Sequence, residues 1–382
     1  MTVLAVAGIS ARMLAEAATD DGFEVVALDL FGDADTRRAC AQWCPIGTPA
    51  SLRIDGALLL AARAALARRG DVAGWIAGAG FEARPDLLER GAALLPLLGT
   101  PADAVRRVRD PQAFFFGFLD AQAIAHPQVR MTPPAIAAGW LVKEAGGCGG
   151  WHIRRAGSTE AVRDPHYFQR EMPGTPMSAT FIANGSDAAV LGFNRLIVRP
   201  FGARPFVFCG AVGPVPLLPE VAAGVSAALR SIAAAFALRG LGSLDFMLDG
   251  RSFGVLEVNP RPPASIALYG KRFVPAATHG VVAAHVRACI DGELPQWPAP
   301  TPNNAVRGTE IIFAPRPLWL DEAAVARLAA RAGCHDLPAF PTRFAAGDPL
   351  CSVSASAANA DAVQTLLNRG REAVHQSLET DP

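Results

Sequence analysis

The sequence is almost without lysine: only Lys143 and Lys271 stand among its 35 basic residues. The rest are arginine, a skew expected of a GC-rich coding bias. A lysine kept against that drift marks a place where a compact ammonium can do what a planar guanidinium cannot. Net charge is missing too. The 35 basic and 35 acidic side chains cancel, so no strong field recruits nucleic acid or an anionic membrane. Long apolar runs are absent, being cut by residues such as Arg63 and Arg230, and none reaches the ~18 residues of a membrane span. Seven cysteines, an odd and scattered set, do not read as a disulfide framework. Reduced thiols in a cytoplasm are expected instead. No basic leader precedes Val3–Ala7, so no secretory signal is expected. The first strand–turn–helix lacks Gly-x-Gly-x-x-Gly, which makes a nicotinamide dehydrogenase a weak reading. No nucleophile elbow, Ser-His-Asp order or internal repeat is present.

What remains is a chain of 382 residues, 51% apolar and 18% charged, enough for two or three domains with real cores. The first hundred residues alternate strand and helix. Val3–Ala7, Glu24–Leu30 and Val72–Ile76 read as buried strands, and Ala11–Asp20 and Ser51–Arg69 as helices. That rhythm predicts an open parallel α/β sheet. Two short helices follow, 102–107 and 111–125. Beyond Pro133-Pro134 come strand-like segments at 140–145, 151–155, 167–172, 178–183 and 188–198. Asn184-Gly185 and Pro173-Gly174 suggest hairpin turns between some of them. Pro219–Leu238 reads as an amphipathic helix, and Asp249-Gly250 joins the strands 243–248 and 253–258. Residues 292–304 are Pro-dense and read as a linker. The C-terminal part carries strands at 310–314 and 350–354 and helices at 322–332 and 358–378. The expected division is 1–100, 101–300 and 301–382.

Two constellations could carry chemistry. Trp140-Leu-Val-Lys143-Glu144 ends a strand and enters a loop containing Gly146, Gly147, Gly149 and Gly150. Glycine lets backbone N–H groups approach a polyphosphate, while lysine supplies charge without fork geometry. An ordinary flexible hairpin loop is an equal reading of this segment alone. The second constellation is Ser243-Leu-Asp245 followed by Glu257-Val-Asn259-Pro260-Arg261. Two carboxylates interrupt apolar strands, and Glu257 and Asn259, two apart, share a face. Three oxygen donors there suit Mg²⁺, which is usually shared with nucleotide phosphates. Arg261, just past the strand, suits a phosphate or carboxylate. Between these segments, Gln169 and Glu171 on Tyr167–Met172 could bond a ribose or adenine, and the Pro-Gly turn could act as a hinge or close a simple hairpin.

The order of these parts resembles the ATP-grasp superfamily: a Lys before a Gly-rich flap, a hinge ending in Gly, a long helix, then Asp and Glu-x-Asn-Pro-Arg. The match spans about residues 100–300. It implies an ATP-grasp fold with an N-terminal open parallel α/β domain and a small C-terminal α+β domain. It implies ATP and Mg²⁺ as cofactors, and activation of a small-molecule carboxylate to an acyl phosphate that an amine then attacks. A homodimer is common in the superfamily. Carried over, Lys143 and Arg261 would be catalytic. Lys143, Gly146, Gly147, Gly149, Gly150, Gln169 and Glu171 would hold the nucleotide, and Asp245, Glu257 and Asn259 the metal. An earlier lysine found in many members is missing here, and Arg109 stands near its place. That gap leaves a silent nucleotide-binding regulator as the alternative. Gly8–Arg12, Asp29–Thr36 and Gly78–Glu82 further resemble a carboligase-like group, some of whose members accompany genes for methanopterin- and methanofuran-type one-carbon cofactors.

Other polar residues have plainer readings. Gly8–Arg12 could seat an anion at a helix start, and Glu82 follows a Gly turn at a strand end where α/β ligands bind, but turn and cap chemistry explains both. Asp29, Asp33 and Asp35 read as a solvated loop. Cys40 and Cys44 lack a second pair for zinc. His279 and His285 are six apart, a poor spacing for one helix face, and His152 merely adjoins the flap.

Overall fold

The computed structural model describes residues 2–157, 163–270, 277, 279–297 and 305–379. Lys271 and the 298–304 part of the expected linker lie outside them. In the first segment four parallel strands form a sheet in the order Gln42–Pro45, Glu24–Asp29, Val3–Ala7, Val72–Ala77. Successive strands were added on both sides of Val3–Ala7. The strand order therefore reverses beside it, and the loops Gly8–Ala11 and Gly78–Glu82 open a crevice there. The helix expected from Ser51 begins only at Gly56, where Asp55 caps the free N–H groups of Ala57 and Leu58. Residues 47–54 fold instead into a small two-stranded turn.

A four-stranded cap sheet follows, ordered Val129–Arg130, His166–Arg170, Trp140–Glu144, Ile153–Arg155. The chain then crosses Pro173-Gly174 into an eight-stranded antiparallel sheet. Its order is Ser252–Asn259, Arg239–Asp249, Thr175–Asn184, Ala188–Phe201, Arg204–Gly213, Val306–Phe313, Pro349–Ala357, Cys334–His335. The Pro-Gly turn therefore closes no hairpin; it carries the chain from one sheet to the other. Asn184-Gly185 and Asp249-Gly250 do close hairpins. A strand at Arg204–Gly213 had no counterpart in the sequence reading. Through it the C-terminal strands continue the same sheet, pairing Gly210 with Glu310.

The two faces of this sheet differ because side chains alternate. Leu244, Phe246, Val255 and Val258 point to the helix Pro219–Phe236, whose Val221, Val225, Leu229 and Ile232 are buried with them. Each such side chain contributes about 1.5–3 kcal/mol of burial. Ser243, Asp245, Met247, Glu257 and Asn259 line a cavity. His285 belongs to the core: it accepts from Leu241 N–H, contacts the Leu98 carbonyl at 3.0 Å, and burial pushes it down to about 4. The described helices include none long and apolar enough to cross a membrane.

Candidate active site

A cavity of about 1880 Å³ lies between the cap sheet, the central sheet and the switch point of the parallel sheet. All the expected site residues line it: Lys143, Gly146, Gly147, Gly149, Gly150, Gln169, Glu171, Asp245, Glu257, Asn259 and Arg261.

The hairpin Arg239–Asp249/Ser252–Asn259 builds the acidic corner. Asp245 pairs across the strands with Glu257, and Ser243 with Asn259. A bulge at Leu256 lets that side chain and the adjacent Glu257 both line the cavity. Asn259 Nδ2 donates to Asp245 Oδ2 at 3.0 Å and to Ser243 Oγ at 3.3 Å. Its amide oxygen is the atom left for another partner. Burial and then the neighbouring Glu257 raise the Asp245 carboxyl. Burial acts on Glu257 in the same direction, but Arg109 and Lys143 outweigh it and hold that carboxyl low. Two facing, half-buried carboxylates and an amide oxygen meet here, which is the donor set a hard divalent ion takes. Among the described residues no three His, Cys, Asp or Glu groups form a metal cluster. Such an ion would therefore need further oxygens from outside the protein.

Opposite stands the cationic wall. Lys143 is 4% exposed, and its Nζ donates to Gln169 Oε1 at 3.0 Å. Their strands are neighbours in the cap sheet, where Gln169 faces Leu141 and Tyr167 faces Lys143. Gln169 Nε2 is buried without a partner. Glu171 lies on the rim and pairs with Arg155 at 2.7 Å. Arg109 reaches the cavity from the helix Ala102–Arg109. It donates to the carbonyls of Ala145 at 3.0 Å and Gly147 at 2.7 Å, to Val258 O at 3.3 Å, and pairs with Glu257 at 3.4 Å. Its Nε is buried with no partner. A guanidinium thus stands where the missing lysine raised a doubt, and two buried donors await acceptors. Those orphan donors and the acidic corner together fit a metal-bound polyphosphate.

The glycine loop lies closed over this corner. A Cβ on Gly150, at φ +74°, would come within 1.9 Å of Phe206 O, and one on Gly147 within 2.1 Å of the His152 ring. Phe208 N–H holds Gly149 O at 2.9 Å. Trp151 packs tilted on Phe201 and edge-on to Phe313, each with 5.3 Å between ring centres, so the flap seats on the central strand Ala188–Phe201 and on the C-terminal segment. Burial pushes His152 down to about 4, leaving it neutral.

The parallel sheet supplies one more group. Glu82 accepts from Gly80 N–H and from Arg261 Nε, both at 2.8 Å. Burial opposes ionisation of Glu82, but Arg261 overcomes it and lowers the carboxyl. Arg261 is thereby fixed at the mouth between the two sheets. The Gly turn and the lone acid were visible in the sequence; nothing in it showed that Glu82 reaches Arg261.

Residues 113–265 match the family model described as an ATP-grasp domain, and the chain carries that domain. Solved structures share the whole architecture. The L-amino acid ligase of Bacillus licheniformis is 14% identical, with 97% of each chain covered and a TM-score of 0.68. The N5-carboxyaminoimidazole ribonucleotide synthetase of Thermus thermophilus is 16% identical over 99% of each chain, at 0.64. The biotin carboxylase domain of the Hydrogenobacter thermophilus 2-oxoglutarate carboxylase is 12% identical, at 0.68. That match covers 93% of this chain and 86% of the other, which was solved with magnesium ADP and bicarbonate. At such identities the likeness establishes the ATP-grasp fold. No curated protein matches the sequence.

Proposed function

We propose that the protein is an ATP- and Mg²⁺-dependent ligase that activates a carboxylate as an acyl phosphate and joins it to an amine. One observation carries this reading: Asp245, Glu257 and Asn259 converge on one hairpin, facing Lys143 and Arg109 beneath a glycine flap. In that reading Asp245, Glu257 and Asn259 would hold Mg²⁺, which supplies charge to offset the repulsion between a carboxylate and a γ-phosphate. Lys143 and Arg109 would bind phosphate oxygens, with Gln169 and Glu171 toward the ribose or adenine. Arg261, steadied by Glu82, would hold the transferred phosphate where the cavity opens onto the switch-point loops. The closed flap would keep water from an acyl phosphate. The division 1–100, 101–300 and 301–382 serves this arrangement: a lead domain at the acceptor end, the nucleotide core, and a C-terminal segment that seats the flap. The ligases among the structural neighbours support the class of reaction, and the resemblance of Gly8–Arg12 and Gly78–Glu82 supports an acceptor from one-carbon cofactor assembly. The test is ADP formation with a panel of amino acids and of pterin- and furan-type precursors. One acceptor should make phosphate release ligand-dependent, and Asn259→Ala should abolish it in a folded protein. ATP binding without turnover across the panel would favour the silent regulator.

A further inference from the structure

Arg109 is bonded at once to two parts of the site, the flap and the acidic corner. Two of its donors go to the carbonyls of Ala145 and Gly147, at the root of the flap, over 3.0 and 2.7 Å. The same guanidinium pairs with Glu257 at a looser 3.4 Å. It therefore ties the flap down and places a positive charge against the carboxylate a cation would need. Its side chain is 8% exposed, and Nε is buried with no acceptor. A guanidinium in that setting is short of acceptors, and its longest contact is the one to Glu257. Phosphate oxygens entering the cavity would offer bidentate, charge-assisted bonds stronger than those to neutral carbonyls.

We propose that Arg109 is an exchange latch: without nucleotide it fastens the glycine flap and shields Glu257, and incoming phosphates take over its donors and release Glu257 to the metal. This rests on the nucleotide-site reading given above. Metal and nucleotide then enter together, because metal alone meets Arg109 on Glu257. A compact ammonium cannot span the two carbonyls and the carboxylate at once, which gives arginine a reason to stand here.

The test uses the full chain without nucleotide. Hydrogen exchange of the peptide covering 144–152 should quicken at least tenfold in Arg109→Met and in Arg109→Lys, with the helix Pro219–Phe236 unchanged. Mn²⁺ alone, counted by its EPR signal, should bind at least tenfold more tightly to Arg109→Met than to the wild type. Arg109→Lys keeps the charge and should still exclude it. Should the Met variant fail to fold, the Lys variant carries the flap measurement. Equal flap exchange in the wild type and the variants overturns the latch, and so does unchanged Mn²⁺ affinity in Arg109→Met. Variants that respond as expected while the wild type binds no Mg·ATP would keep Arg109 as the tie between flap and Glu257 but overturn its exchange with phosphate, and would remove the nucleotide reading as well.

Discussion

Two buried charge clusters in this molecule use the same residue types to opposite ends. One joins the parallel sheet to the C-terminal segment. Arg12, 4% exposed, pairs with Asp336 and Glu16. Ser352 donates to Asp336, and Asp33 caps its helix while accepting from Thr36. Its charges have protein partners. The other cluster, at Asp245, Glu257, Arg109 and Gln169, holds two facing carboxylates and donors with no acceptor. A cluster closed on itself is a joint, whereas one left incomplete beside a cavity is shaped for something that arrives.

Removing a group from each cluster should separate them, and the largest effect lies at the incomplete one. If Asp245 is a ligand in the proposed metal site, Asp245→Asn should lower ATP-dependent turnover at least a thousandfold. It should also raise the thermal midpoint by several degrees, since Glu257 loses a like charge beside it. A midpoint that falls would place Asp245 among the structural groups. At the joint the pattern reverses. Arg12→Met strands Asp336 and should cost about 3 kcal/mol in denaturant unfolding. Nucleotide affinity, read by a fluorescent ADP analogue, should stay within twofold.

The flap offers a smaller effect. Gly150→Ala meets Phe206 O and a backbone at φ +74°. It should raise the KM for ATP roughly tenfold while leaving global stability within about 1 kcal/mol, since flaps open locally. A normal KM would mean that the flap need not close this way.

How far the sequence disclosed these clusters follows from the range of each signal. Asp245, Glu257 and Asn259 were legible because polar residues interrupt apolar strands, two of them with period two, a pattern contained in fifteen residues of chain around one Asp-Gly turn. The glycine flap was legible from its own composition. The Glu82–Arg261 pair joins residues 179 apart, and each end had a local explanation, so only the packed chain reveals it. The strand Arg204–Gly213 was missed, and with it the continuity of the sheet into Val306–Phe313, since strand pairing across such a distance leaves no periodic trace. Pro173-Gly174 read equally as a hinge or a hairpin, because turn chemistry fixes a reversal but not which sheet the chain joins next. Arg109 was noticed through a missing lysine, while its ties to Ala145, Gly147 and Glu257 depend on the flap folding back over it.

The finest distinction between the clusters is electrostatic, and it sits at Asp33. Burial, then the charge of Asp336, pushes this carboxyl up to about 6. Between the unfolded value near 3.8 and that folded value, the native chain holds a proton the unfolded chain has lost. Stability therefore falls as pH rises across this window and levels off above it. Asp33→Asn keeps an acceptor for the Asp35 and Thr36 N–H groups but removes the charge. The variant should match the wild type below about pH 4 and exceed it by about 1–2 kcal/mol above about pH 6. Denaturant midpoints measured across that window and beyond it would show the two curves diverging. If they stay parallel, Arg12 already neutralises Asp33 as fully as it does Asp336, and the joint is more completely closed than its geometry suggests.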